Sequence, residues 1–144
     1  MIGETHAAPA SGETVGFTLL HAAHVLEARL EASLEKVGLS LAKYGVLTLL
    51  AQAGGPISLS QLAARQSCVR SNMTQLVDRL ESDGLVRRID QPTDRRVVLA
   101  ELTPLGVERQ AAGAERLEQE QAAFVQSLSR EDRLALERAL ATIK

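Results

Sequence analysis

The chain has 144 residues and a formal charge of −2; 45% of it is hydrophobic and 2% aromatic, enough for one domain with a sizeable core. Its apolar set is 23 Leu, 21 Ala, 11 Val and 4 Ile, poor in β-branched and aromatic residues, which predicts helices and nearly excludes an all-β fold. No run approaches the roughly 20 apolar residues of a membrane span, residues 1–14 lack a basic start followed by an apolar stretch, and Cys68 has no internal disulfide partner, so a cytoplasmic protein with no membrane partner is expected.

Residues 1–13 are small, polar and aperiodic and read as a flexible N-terminal arm. From Thr14, the apolar residues Leu19, Ala23, Leu26, Leu30, Leu34 and Val37 recur at three- and four-residue spacing, which predicts a long first helix ending near Gly38. Ser40 then precedes Leu41, Tyr44, Leu47 and Leu50, a second helix over about 41–53 stopped by Gly54-Gly55-Pro56. Ser58 and Gln61 have capping-box spacing ahead of a two-turn third helix with Leu59, Leu62 and Ala63. After a break at Gln66–Val69, a fourth helix places Met73, Leu76, Val77 and Leu80 on one face and ends at Asp83-Gly84.

Two β-type runs follow, 85–90 and 97–103, around the turn-rich Gln91-Pro92-Thr93-Asp94, with Arg95-Arg96 leading into the second strand. Thr103-Pro104 starts a fifth helix that runs through Leu128, and Ser129 caps a sixth carrying Leu136, Leu140 and Ile143. The expected fold class is mainly α with a small β-hairpin. Two short helices joined by a tight turn and followed at once by a hairpin describe a winged helix-turn-helix lobe. That lobe spans about 40–103 of a single domain, 14–143, and is flanked by helices at about 14–38 and 104–143.

Charge is distributed unevenly. Seven of the 13 arginines lie between residues 65 and 96 with five acids and no lysine, a local charge of +2 in a chain of −2. Arginine's planar fork suits phosphate and guanine. On the fourth helix Arg70, Ser71, Asn72, Thr74, Gln75 and Arg79 lie off the apolar face, and the first five fall in the turns that read base edges in such helices. Ser58 and Ser60, at a helix N-terminus, are candidate phosphate contacts. Arg87 and Arg88 flank the base of the hairpin, where DNA contact and an internal salt bridge are both open. The expected partner is double-stranded DNA.

The stretch from Ser58 to Gly106 resembles the DNA-binding lobe of the MarR family of bacterial transcriptional regulators, above all in Thr74-Gln-Leu-Val-Asp-Arg-Leu80, Gly84-Leu-Val86, Asp94-Arg-Arg96 and Leu102-Thr103-Pro-Leu-Gly106. The resemblance implies that Arg96 enters the minor groove, that Asp94 braces the wing and that Arg95 is a phosphate partner. It also implies a homodimer built from the terminal helices, which carry more apolar stripe than one lobe covers, on a pseudo-palindromic operator. A repressor relieved by a small aromatic or phenolic effector would follow.

His21, His24 and Tyr44 are candidates to line an effector pocket, or alternatively interface residues without a ligand. His21, His24 and Glu27 imitate a metal site at helical spacing, a weak signal, and no metal or cofactor is expected. Cys68 sits in the helix-turn-helix turn as a packing residue or a redox switch, and Ser67 and Val69 depart from the usual glycine and cap of such turns. His6, His21 and His24 are the three histidines, all near the N-terminus, and no catalytic motif appears, so an enzyme is not expected. The rival class is a helical protein-interaction module that has lost DNA binding.

Overall fold

The computed structural model describes residues 12–66 and 68–143. A 3-10 turn at Gly12–Thr14 leads into α1 (Val15–Glu35), followed by α2 (Leu41–Ala53), β1 (Ile57–Ser58), α3 (Leu59–Arg65) and α4 (Arg70–Ser82). Strands β2 (Val86–Asp90) and β3 (Val98–Leu102), then α5 (Pro104–Gln126) and α6 (Arg130–Ala141), complete the order. The predicted arm at 1–13 thus loses residues 12 and 13 to the 3-10 turn, and the rest of it lies outside the described residues.

The helix ends follow from capping chemistry. Ser40, Ser58, Thr103 and Ser129 each accept a hydrogen bond through their side chain from the backbone N–H three residues on, at 3.0–3.1 Å. At Ser58 the Gln61 side chain reaches back to the Ser58 N–H at 3.3 Å, completing a capping box. α1 stops at Glu35, three residues before the predicted end, because the Leu39 N–H folds back to the Leu34 carbonyl at 3.0 Å across the turn. The same closure ends α4: the Leu85 N–H reaches the Leu80 carbonyl at 2.9 Å while Gly84 holds φ at +76°, a region that disfavours any Cβ. Leu85 is therefore spent on the helix end, and β2 begins one residue later than predicted. α5 ends at Gln126, so Leu128 falls in the connection to α6.

The sheet has three strands in the order β1-β3-β2, not two. β1 pairs antiparallel with β3, Ile57 opposite Ala100 and Ser58 opposite Leu99. A two-residue strand carries no alternation for a pattern to reveal, so only its long-range partner defines it. In the hairpin Val86 faces Leu102 and Asp90 faces Val98, which places Arg95 and Arg96 in the turn and corrects the expectation that they enter the strand.

Every element from the end of α1 to β3 contributes to one core: Leu34, Leu47, Leu62, Met73, Leu80 and Leu85 are all fully buried. Gly106 fastens α5 to this core, since a Cβ there would overlap the Leu85 carbonyl oxygen. The terminal helices differ. α6 buries no residue and α5 buries only Gly106 and Gly113. Phe17 (77% exposed), Val15, Leu20, Leu134, Leu140 and Ile143 leave their apolar side chains in solvent. The architecture is a winged helix-turn-helix lobe carrying long helices whose apolar surface is not covered within one chain.

Candidate nucleic-acid interface

Helix α4 divides its residues by period. Met73, Val77 and Leu80, spaced four and three apart, are fully buried, which leaves Arg70, Ser71, Asn72, Gln75 and Arg79 exposed. Thr74 is half-buried, and its hydroxyl donates to the Arg70 carbonyl one turn back at 3.0 Å. The Arg70 guanidinium lies against the Ser60 hydroxyl, so the N-terminal turns of α3 and α4 meet through these two predicted residues. Ser58 is different: its oxygen is committed to capping α3.

The β2–β3 turn is closed by Asp94. Its carboxylate accepts from the Arg96 N–H at 3.0 Å and from Arg96 Nε at 3.3 Å, and its carbonyl accepts from the Val97 N–H at 3.1 Å. The Arg96 side chain is nonetheless 92% exposed, and Arg95 beside it is exposed as well. Among the described residues the Arg96 guanidinium meets only the Asp94 carboxylate, and no ion pair holds that of Arg95.

Arg87 and Arg88 behave unlike the turn arginines, and the salt-bridge alternative describes both. Arg88 points back onto α4, pairing with Asp78 and Glu81 and donating to the Thr74 carbonyl at 3.3 Å, and its side chain is 29% exposed. It is a brace between α4 and β2, which corrects its place among the candidate DNA contacts. Arg87 pairs with Glu101, directly opposite on β3, but stays 69% exposed.

The three candidate effector residues are not gathered into one cavity. His21 and His24 are exposed on α1, whereas Tyr44 is wedged between α2 and α5, where a Cβ on Gly113 would stand 2.8 Å from its ring. The apolar cleft at the C-terminal end of α2 is lined by none of the three. Among the described residues no three His, Cys, Asp or Glu converge on a metal-sized site. Cys68 is half-buried against the core and its thiol donates to the Val69 carbonyl at 3.4 Å. Val69 precedes α4 without a side-chain cap bond, and Ser67 lies outside the described residues.

Several positioning contacts gave no signal in the sequence because each joins residues far apart in it. Lys43 on α2 pairs with Asp83 at the end of α4 at 2.7 Å. Arg109 and Arg116, seven apart on α5, donate to the carbonyls of Val37 at 3.1 Å and Ser33 at 3.4 Å. The Thr103 hydroxyl donates to the Gly84 carbonyl at 2.6 Å. Together they tie the end of α4 to α2 and to the start of α5, and α5 to α1 and the turn after it.

No described helix is long and apolar enough to cross a membrane. Comparison with known proteins agrees with this geometry. The HTH-type transcriptional regulator YkoM of Bacillus subtilis is 38% identical over 71 residues, 49% of this chain and 46% of YkoM. The chain spans about half the length of such curated relatives. Likeness over nearly the whole chain comes from solved structures. RV1404 from Mycobacterium tuberculosis is 31% identical with a TM-score of 0.71, covering 94% of this chain and 93% of that one. The transcriptional repressor CouR, solved bound to a 23-mer DNA duplex, is 28% identical with a TM-score of 0.80, covering 95% and 99%. The MarR family model matches residues 39–98, from the end of the first turn through the start of β3, and with the whole-chain likeness this shows that the chain belongs to the MarR family.

Proposed function

We propose that the protein is a sequence-specific regulator of transcription that binds double-stranded DNA as a homodimer and acts as a repressor. One observation carries this reading: α4 is locked into the core by Met73, Val77 and Leu80, yet presents Arg70, Ser71, Asn72 and Gln75 to solvent beside a hairpin whose turn offers two exposed arginines. Arg fits guanine and Asn or Gln fits adenine in the major groove. Arg96 is the minor-groove residue and Arg95 a phosphate partner, a division suited to a narrow, electronegative groove. Asp94 braces the turn that carries both.

The exposed apolar residues of α1 and α6 support a two-fold dimer, which would bring two α4 helices to half-sites about one helical turn apart on a pseudo-palindromic operator. Relief by a small ligand would work as a population shift, the ligand favouring a spacing of the two lobes that misfits the operator. Arg109, which donates to Val37 in the α1–α2 turn, and Arg116, which donates to Ser33 on α1, hold α5 against that part of the chain and would transmit such a shift.

The test is selection of binding sites from random duplex DNA, followed by a salt titration of the selected sequence. The expected result is a two-fold-symmetric consensus whose affinity falls steeply with salt, bound by a species of twice 15.5 kDa in sedimentation. Absence of any enriched sequence, with weak binding to every duplex, would replace this reading with a protein-interaction module on the same fold.

A further inference from the structure

Among the described residues, all but one of the large apolar side chains left exposed lie on or next to the terminal helices α1, α5 and α6, where a two-fold interface would cover them. The exception is Val69, 61% exposed at the start of α4, inside the lobe. Its surroundings in the chain face the other way: Cys68 before it packs against the core, and Met73 one turn on is fully buried.

Val69 also stands where α4 lacks a cap. Ser40, Ser58, Thr103 and Ser129 cap α2, α3, α5 and α6 through their side-chain oxygens. Val69 holds nearly the same extended backbone (φ −73°, ψ 148°) as Ser58 (φ −67°, ψ 150°) but has no acceptor to offer, and valine is among the poorest residues at that position. A serine there would accept from the Asn72 N–H, as Ser58 does from that of Gln61. One residue thus leaves an apolar side chain in water and leaves a helix start uncapped, and no packing among the described residues offsets either cost. Contact of its two methyl groups with an apolar group outside the chain would offset both.

Val69 directly precedes Arg70, Ser71 and Asn72, the exposed residues of the first turn of α4, and the N-terminal end of a recognition helix is the part that meets base edges. The methyl group that B-DNA presents in the major groove is the C5 methyl of thymine. We propose that Val69 is a specificity-determining residue that packs its methyl groups on the C5 methyl of one thymine in each half-site. The inference rests on the DNA-binding reading and adds to it a base selected by apolar contact, beside those read by hydrogen bonds from α4.

The experiment uses the full chain and the duplex obtained by site selection. Each thymine is replaced in turn by deoxyuridine, which keeps the base pair and its hydrogen bonds and removes only the methyl group, and affinity is read by fluorescence anisotropy for the wild type and for Val69→Ser. At one thymine of each half-site the replacement should weaken wild-type binding roughly fourfold, the worth of one buried carbon group, and Val69→Ser binding by less than about twofold. Val69→Ser should also melt a few degrees above the wild type, because its hydroxyl caps α4, whereas loss of a packing residue would lower Tm. A consensus without thymine, deoxyuridine tolerated at every position, or equal losses in the two proteins would overturn the assignment. A lower Tm for Val69→Ser would overturn it as well and make Val69 a packing residue. Failure to select any sequence would overturn the DNA-binding reading and this inference with it, whereas a clear consensus indifferent to the thymine methyl would leave that reading intact and remove the role of Val69 alone.

Discussion

Arg96→Ala separates DNA contact from structural support more cleanly than any other substitution in the wing. The Arg96 side chain is 92% exposed and, among the described residues, its polar contact is Nε to Asp94 at 3.3 Å, an exposed pair of the kind worth about 0–1 kcal/mol. The bond that closes the turn, from the Arg96 N–H to the Asp94 carboxylate at 3.0 Å, belongs to the backbone and survives in alanine. Stability should therefore change by less than about 0.5 kcal/mol. DNA affinity should fall by about 1–3 kcal/mol on most sequences, with the salt slope shallower by about one, because a contact to the groove is lost without a base-specific one. Fluorescence anisotropy on the selected site and a scrambled duplex, at several salt concentrations, reads both quantities, with a denaturant melt as control. An unchanged salt slope with unchanged affinity would refute the minor-groove assignment. A large loss of stability would refute the claim that the turn is held by Asp94 and the backbone alone.

Further outcomes follow from the same geometry. Asn72→Ala and Gln75→Ala should each relax preference at particular positions by about 1–3 kcal/mol while leaving non-specific affinity intact, which repeating the site selection with each variant would reveal as lost positions in the consensus. Thr103→Val removes both the cap to the Gly106 N–H and the bond to the Gly84 carbonyl, and should cost about 1–2 kcal/mol, a fall of several degrees in Tm at fixed protein concentration; Thr103→Ser should recover most of it. Mild peroxide should leave DNA affinity unchanged, since Cys68 is packed against the core, and a peroxide-dependent loss absent from Cys68→Ala would restore the redox switch.

Local chemistry was legible where it is self-contained. The serine and threonine caps, Gly84 at a helix end and the three- and four-residue apolar spacing of α4 act through neighbours in the chain, so a string of residues contains them. The clustering of arginine between residues 65 and 96 singled out the surface that the α4 face and the wing turn share. What escaped required partners from elsewhere. β1 is two residues long and is a strand only because β3 lies beside it. Arg87 and Arg88 are neighbours of one type, yet alternation along β2 sends one to Glu101 across the sheet and the other to Asp78 on α4. Their difference in role is a property of the faces and not of the residues.

The class of fold, the order of the helices and the hairpin, and the polar face of α4 can be read along the chain, because helix periodicity, caps and charge clusters are written within a turn or two of it. Which arginines find carboxylates among the described residues, where the sheet gains its third strand and how α5 grips the lobe are set by packing. Those outcomes depend on which carboxylates and carbonyls arrive from residues tens of positions away, and packing alone brings them within hydrogen-bond reach.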